Sequence, residues 1–450
     1  MLRGRSYIPF VLLFSCCVVS VETGCARSSR LPVSEGVGPR PELPPPDRSL
    51  VPIVNVVTAK GWAPGQTPVA ADGALVTPLA TNLDHPRWVY VLPNGDVLVA
   101  ETNAPVRPKN NPGLKGRFFN HYQKKAGGAV PSANRITLLR DADGDGQAEL
   151  RTVFLKGLRS PFGMALVGDT FYVANSDALV RFPYHTGETE ITAAPVKVID
   201  LPAGPINHHW TKNVIANADG SKLYVAVGSN SNVAEYGLPA ENERACIWEV
   251  DPATGSHRVF ASGLRNPVGM AWVEDSGTLW AAVNERDELG NDLVPDYMTA
   301  VKDGAFYGWP FSYYGQNVDA RAKPENPELV ARAIPPDYAL GPHTASLGLA
   351  YASSTSLPPR FQRGMFVGQH GSWNRKPRSG YKVIFVPFEG GRPAGDPVDL
   401  LTGFVDARGN AMGRPVGVAI DRRGDLVLAD DVGNTVWRVT GAAASARAAR

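Results

Sequence analysis

The chain is poor in cysteine, in unbalanced charge and in long apolar runs, and each shortage excludes something. Four cysteines occur in 450 residues, and Cys16, Cys17 and Cys25 fall at the N-terminus. Cys246 then has no disulfide partner to consider except Cys25, so a large apolar core must hold the fold in place of a disulfide framework. No Cys/His set has zinc spacing, and no C-x-x-C-H haem-attachment motif occurs. Lys and Arg number 45 against 43 Asp and Glu, a formal net charge of +2. A balance so close to neutral argues against nucleic acid as the main partner. The apolar run at Tyr7 to Val21 is short for a transmembrane helix.

That run follows Arg3 and Arg5, so residues 1–25 read as a signal peptide. Thr23-Gly24-Cys25 resembles the end of a lipobox, although Glu22 stands where that pattern has Leu or Val. Two outcomes stay open: a lipidated Cys25 holding the protein to a membrane, or ordinary cleavage and release into the periplasm. Residues 26–55 are rich in Pro, Ser and charge and read as a semi-extended tether. Residues 56–442 form the main domain, and 443–450 a disordered tail.

Glycine and proline are plentiful, with 46 and 39 residues, as suits a chain with many turns. They punctuate a repeat: a Gly/Pro turn, a short apolar run, a tight turn, then a second run rich in Val, Leu, Tyr and Trp. Six passages fit, opening at Leu83, Gly157, His208, Gly263, Leu347 and Gly413. Third runs follow at Arg135–Leu139, Leu179–Phe182, Ile247–Val250, Lys382–Val386 and Thr435–Val439. Runs of this length and composition are strands. Six copies spaced in this way predict an all-β, six-bladed β-propeller.

The architecture predicts where chemistry gathers. In a propeller the innermost strands line a channel, and the turns before them share one mouth. His85, Arg159, His208, Arg265 and Arg414 lie in or beside such turns, and a ring of Arg and His suits an anionic ligand. Arg159 reads better as a solvated or capping residue. Trp248, Trp280 and Trp437 are expected in the blade cores, whereas Trp210, Trp309 and Trp373 could stack on sugar rings.

Two loops offer hard oxygen ligands for Ca²⁺. Asp141, Asp143, Asp145 and Glu149 stand at positions 1, 3, 5 and 9 of a loop with Gly146 at position 6, close to EF-hand spacing, but Thr152 occupies position 12. We expect a structural role there. The second loop, Asn284 to Asp292, follows the inner strands of the fourth copy and should lie near the mouth.

Gly263-Leu264-Arg265-Asn266-Pro267-Val268-Gly269, the Asn284–Asp292 loop, Tyr307-Gly308-Trp309-Pro310 and His370-Gly371-Ser372-Trp373-Asn374-Arg375 together resemble the glucose/sorbosone dehydrogenase family. The similarity runs from about Leu83 to Val439, nearest in character to L-sorbosone dehydrogenases. It implies a six-bladed propeller that oxidises a sugar or sugar-derived aldehyde or alcohol with pyrroloquinoline quinone (PQQ) and Ca²⁺, and passes electrons to a separate acceptor. On this resemblance His208 takes the position of the base, with His209 as the alternative. Arg265 and Asn266 match a cofactor- or substrate-contacting pair, and Arg414 a PQQ-carboxylate contact. Lys212, Arg378, His370 and Trp373 fall beside cofactor positions. Arg286 and Asp287 lie in the loop whose backbone carbonyls hold Ca²⁺ in relatives, and Asp292 matches its acidic residue. Where glucose-oxidising relatives orient the base with Asp, this chain has Ser229, which points to a different substrate or a substitute acid. A Ca²⁺-dependent propeller lactonase and a non-catalytic carbohydrate-binding propeller are the competing readings.

Overall fold

The computed structural model describes residues 28–47, 53–106 and 121–442. Cys25, the signal-like segment and the 443–450 tail lie outside the described residues. Among the described residues the chain forms six antiparallel sheets of four to six strands, each with a four-stranded core, arranged as the blades of a propeller. Their innermost strands are Pro86–Val91, Met164–Val167, Val214–Ala216, Pro267–Val273, Ser346–Ala352 and Pro415–Ile420. These are the six apolar runs that open each sequence copy. Among the described residues no helix is long and apolar enough to cross a membrane.

The repeat's glycine has a packing reason. A Cβ at Gly163 would lie 2.3 Å from Val214 N, one at Gly269 2.6 Å from Leu347 O, one at Gly348 2.2 Å from Val416 O, and one at Gly417 2.9 Å from Arg87 O. Each of these glycines therefore abuts the inner strand of the next blade. Four of the inner strands also shift register beside their first residues. Ring closure requires this backbone-to-backbone approach, and any side chain would wedge the blades apart.

Two features were not legible in the repeat. The third strand of blade four, Pro295–Ala300, carries Pro, Asp and Thr and lacks a dense apolar run. The outermost strand of blade six is Ala74–Ala80, from the N-terminal side, pairing antiparallel with Thr435–Gly441. Joining the two ends of the domain in one sheet closes the ring.

The stretch expected to be a tether is instead laid against the propeller where it is described. Val37–Gly38 adds an edge strand to Tyr338–Pro342 of blade four. Ser29 N donates to Lys376 O (2.6 Å) and Asp47 N to Leu289 O (2.9 Å). Its polar composition kept it out of the core but left its backbone free to pair with a sheet edge and with loops.

The apolar core runs through the blades. Trp248, Trp280 and Trp437 are buried, as expected. Trp210, Val268, Leu347 and Val416 belong to one cluster with Trp88 and Phe162, so the start of the channel is filled by apolar side chains.

Candidate functional site

Inner strands run away from the mouth and second strands return to it. The loops before the inner strands and those between second and third strands therefore share one face. Three walls of that face carry the chemistry.

The first wall is the loop entering blade three. His209 Nδ1 lies 2.9 Å from both the carbonyl oxygen and the Oγ of Ser229. Ser229 Oγ in turn donates to Ser231 O at 2.7 Å. With that hydroxyl proton committed and a carbonyl able only to accept, Nδ1 must carry the imidazole proton. The proton-accepting lone pair of a neutral His209 is then on Nε2. The residue that meets Ser229 is thus His209, the alternative, rather than His208, whose backbone N donates to Asn230 Oδ1 (3.2 Å). The two rings stand edge to face, with centroids 4.7 Å apart. A one-residue ambiguity in a His-His pair can be settled only by where the loop puts each ring.

Lys212, expected near the cofactor, is fully buried. Its Nζ donates to the carbonyls of His209 (3.2 Å) and Trp210 (3.5 Å). Burial, with Arg244 beside it, pushes its ammonium well below the usual lysine range. Its role is to hold the His209 turn from beneath. Arg244 does the same from the side, donating to Asn207 Oδ1 and Gly228 O, both at 3.3 Å.

The second wall is the Asn284–Asp292 loop. Arg265 is buried and donates to Asn232 O (3.1 Å), Glu285 O (2.6 Å), Asn232 Oδ1 (3.0 Å) and Asp287 Oδ2 (3.2 Å). Asn374 Nδ2 donates to Asp287 Oδ1 at 2.8 Å, and His343 Nδ1 is 3.7 Å from the same oxygen. Burial alone would raise the Asp287 pKa, but His343 and Arg265 hold it down to about 2. Asn266, beside Arg265, is buried, and its Oδ1 has no hydrogen-bond partner. Asn232 was not anticipated. Its amide joins Arg265, Asp287 N (2.9 Å) and Asp287 O (3.2 Å), but it lies in a loop no repeat marks.

The side chains of Arg286 and Asp292, in the loop expected to hold Ca²⁺, make contacts outside the mouth loop itself. The Arg286 side chain turns away into blade four, with Nε 2.9 Å from the buried Asp319 Oδ2. Asp292 spends its oxygens on Arg30 N (2.7 Å) and Arg375 Nη2 (3.2 Å). Each Asp292 oxygen accepts a hydrogen bond, and the Arg286 side chain is paired with Asp319. The backbone carbonyls of the loop remain the candidate ligands there.

The third wall joins blades five, six and one. Arg414 Nε donates to His370 O and its Nη2 to Gly371 O, both at 2.9 Å, and its guanidinium lies over the Tyr381 ring. His370 Nε2 and Arg87 Nη1 both donate to Asp431 Oδ2 at 2.8 Å, with His85 Nε2 3.6 Å away. Burial, with the charge of Arg414 nearby, lowers the His370 pKa to about 3, so the ring is neutral at pH 7. Burial opposes ionisation of Asp431, but His370, His85 and Arg87 keep it well below the usual carboxylate range. The Arg87 guanidinium also lies 5.9 Å from the Trp210 ring centroid. Asp431 and Arg87 were missed: one sits in an ordinary-looking Asp-Asp turn, the other inside an inner strand.

At the rim, Trp373 is exposed, whereas Trp210 and Trp309 are buried. Arg378 lines a cleft of 550 Å³ with Asn55, Tyr381 and Phe404, and its Nε donates to Asn55 O at 3.2 Å. Asp141, Asp143, Asp145 and Glu149 gather with ligand oxygens within 4.8 Å of one another. That cluster lies on the opposite face, in the turn between the outer strands of blade one, where Arg423 and Arg438 bind Asp141.

Fold and mouth together define a six-bladed propeller with a polar, Arg- and His-bearing mouth. Residues 167–372 match the glucose/sorbosone dehydrogenase family model, and residues 315–442 match a TrAA12-like model. The chain is 40% identical over 360 residues to a pyrroloquinoline quinone-dependent pyranose dehydrogenase of Coprinopsis cinerea, an alignment covering 70% of this chain and 44% of that protein. It is 23% identical over 337 residues to the aldose sugar dehydrogenase YliI of Escherichia coli, covering 71% and 82%. An uncharacterized Borreliella burgdorferi protein is 28% identical over 241 residues, of which the chain spans 62%. Among solved structures, the holo PQQ domain of the Coprinopsis cinerea pyranose dehydrogenase superposes with a TM-score of 0.66 at 21% identity, covering 86% of this chain and all of that one. The chain is thus similar to the glucose/sorbosone dehydrogenase family over residues 167–372, and it spans under half the length of the pyranose dehydrogenase it matches.

Proposed function

We propose that the protein is an exported, PQQ-dependent oxidoreductase that oxidises a sugar or a sugar-derived alcohol or hydrated aldehyde, with His209 as the base. The contact of His209 Nδ1 with Ser229 carries the proposal, since it leaves the proton-accepting lone pair on Nε2.

The donor set fits an anionic quinone. Arg87 pairs with Asp431, and Arg265 with Asp287. Among the described residues no carboxylate pairs with Arg414 or Arg378, so the mouth keeps a surplus of positive charge for a polycarboxylate. The unpartnered Oδ1 of the buried Asn266 is an acceptor waiting for a donor. Arg414, Asn266 and Arg378 would hold PQQ, and carbonyls of the Arg286–Asp287 turn would hold Ca²⁺. When bound, PQQ supplies the hydride acceptor and Ca²⁺ polarises it.

The chain's own part is positional and protolytic. His209 Nε2 takes the substrate's hydroxyl proton. The resulting imidazolium is stabilised by the Ser229 carbonyl dipole in place of a full negative charge. Such a weaker partner suits an easily oxidised substrate such as a hydrated aldehyde, which favours a sorbosone-like compound over glucose. Apolar Trp210 and its neighbours exclude water from below. Electrons leave to a separate carrier.

The test mixes purified protein with PQQ and Ca²⁺ and follows dye reduction with aldoses, ketoaldehydes and simple alcohols. Turnover with at least one is expected. Absence of PQQ binding together with absence of dye reduction would refute the proposal. Fractionation of cells, with and without Cys25→Ser, tests export and attachment.

A further inference from the structure

The Asn284–Asp292 loop is gripped from outside its own blade by three consecutive residues. Asn374 Nδ2 donates to Asp287 Oδ1 at 2.8 Å. Arg375 Nε donates to Asn291 O at 3.1 Å and its Nη2 to Asp292 Oδ1 at 3.2 Å. Lys376 N donates to Asn291 Oδ1 at 2.8 Å. Strand alternation cannot place three neighbouring residues on one partner, so a loop conformation dedicated to the contact does it.

Arg375 is the centre of this grip. It is fully buried, and its remaining donors reach Pro377 O (2.9 Å) and Leu31 O (3.0 Å). One planar fork therefore joins the N-terminal segment, the blade-four loop and the blade-five loop. Asp292 completes the knot by accepting from Arg30 N. Lysine, a single point donor, could not span these directions.

We infer that Arg375 is a positioning residue for the loop proposed to hold Ca²⁺, and that residues 28–38 act with it as a strap joining that loop to the blade-five loop and to the edge of blade four. The inference rests on the function proposed above for that loop. A loop with few apolar side chains of its own owes its shape to these outside contacts. Its carbonyls would be aligned before any cation arrives, so affinity for Ca²⁺ is partly set three segments away. Partners of this outer kind are worth about 10–100-fold in metal affinity in metalloproteins.

The experiment compares the wild type with Arg375→Gln, Arg375→Lys and Asp292→Asn. The first readout is amide exchange of residues 284–294 and 29–38 in protein free of PQQ and Ca²⁺. The second is the CaCl₂ concentration giving half-maximal dye reduction, measured apart from kcat. Both Arg375 variants should accelerate exchange in these two segments while the inner strands of blades one and two stay protected. Half-saturation should rise about 10–100-fold, with kcat at saturating CaCl₂ little changed. Asp292→Asn should give the same pattern more weakly, and the double variant Arg375→Gln/Asp292→Asn should fall short of the sum. Unchanged exchange in the loop and unchanged half-saturation, with only a lower Tm, would overturn the inference. If Arg375→Gln fails to fold, Arg375→Lys and Asp292→Asn decide by the same criteria. If the wild type shows no PQQ-linked activity, the functional reading fails, while the exchange result still judges the clamp.

Discussion

The two acidic loops behave in opposite ways. On the far face, the Asp141–Glu149 loop satisfies itself. Gly144 N and Gly146 N donate to Asp141, Asp145 N to Asp143, Gln147 N to Asp145 and Ala142 N to Glu149. Its outside ties are Arg423 and Arg438 of blade six on Asp141, with Arg423 also donating to Gly144 O. At the mouth, the Asn284–Asp292 loop is stitched to distant segments, among them those of Arg265, Asn232, Asn374–Lys376 and Arg30. A loop closed by local hydrogen bonds is readable as a motif and serves its own turn. A loop closed by distant residues has no motif, yet it sits where the blades converge.

The largest expected effect belongs to the mouth. His209→Ala should lower kcat about 10²–10⁴-fold with PQQ binding retained, in steady-state kinetics and absorbance titration. His208→Ala should lose far less, and equal losses in the two would show that the pair shares the base. Next comes ring closure, on which both faces depend. Gly348→Ala forces a Cβ to 2.2 Å from Val416 O, so stability should drop by about 1–3 kcal/mol in denaturant titration.

A pH effect should distinguish the loops more finely. Burial raises the Glu285 pKa to about 7 from an ordinary 4.5. Between these values the folded protein binds more protons than the unfolded chain, so this group's contribution is fully present below about 4.5 and is lost as pH rises to about 7. Glu285→Gln should flatten that part of the stability–pH curve. The smallest change is expected on the far face. Asp143→Asn with Asp145→Asn should leave kcat and KM alone and abolish any Tm increase that CaCl₂ produces through that loop. A loss of turnover there would erase the contrast between the faces.

Much of the fold was readable because inner strands impose a local pattern. The glycine that touches the next blade, the proline before it and the apolar run after it recur. The third strand of blade four escaped because Pro295 and Asp296 answer to the mouth rather than to a blade core. At the candidate site, Arg265, Asn266 and Arg414 fall in repeat turns, so the repeat pointed to them. Asp431, Arg87 and Asn232 carry no local mark. Lys212 was found for the wrong reason, since it supports the His209 turn from inside. Residues 28–47 looked like a tether because their composition cannot form a core, yet their backbone docks on one already made.

By itself the sequence determined the number of blades and the face on which the turns converge, because local periodicity and close-packing glycines repeat within each copy. Only the tertiary structure decided that His209 rather than His208 meets Ser229, that Asp292 serves a clamp, and that Ala74–Ala80 closes the ring. Those outcomes depend on ring orientation and on contacts between residues hundreds of positions apart, which no local pattern encodes.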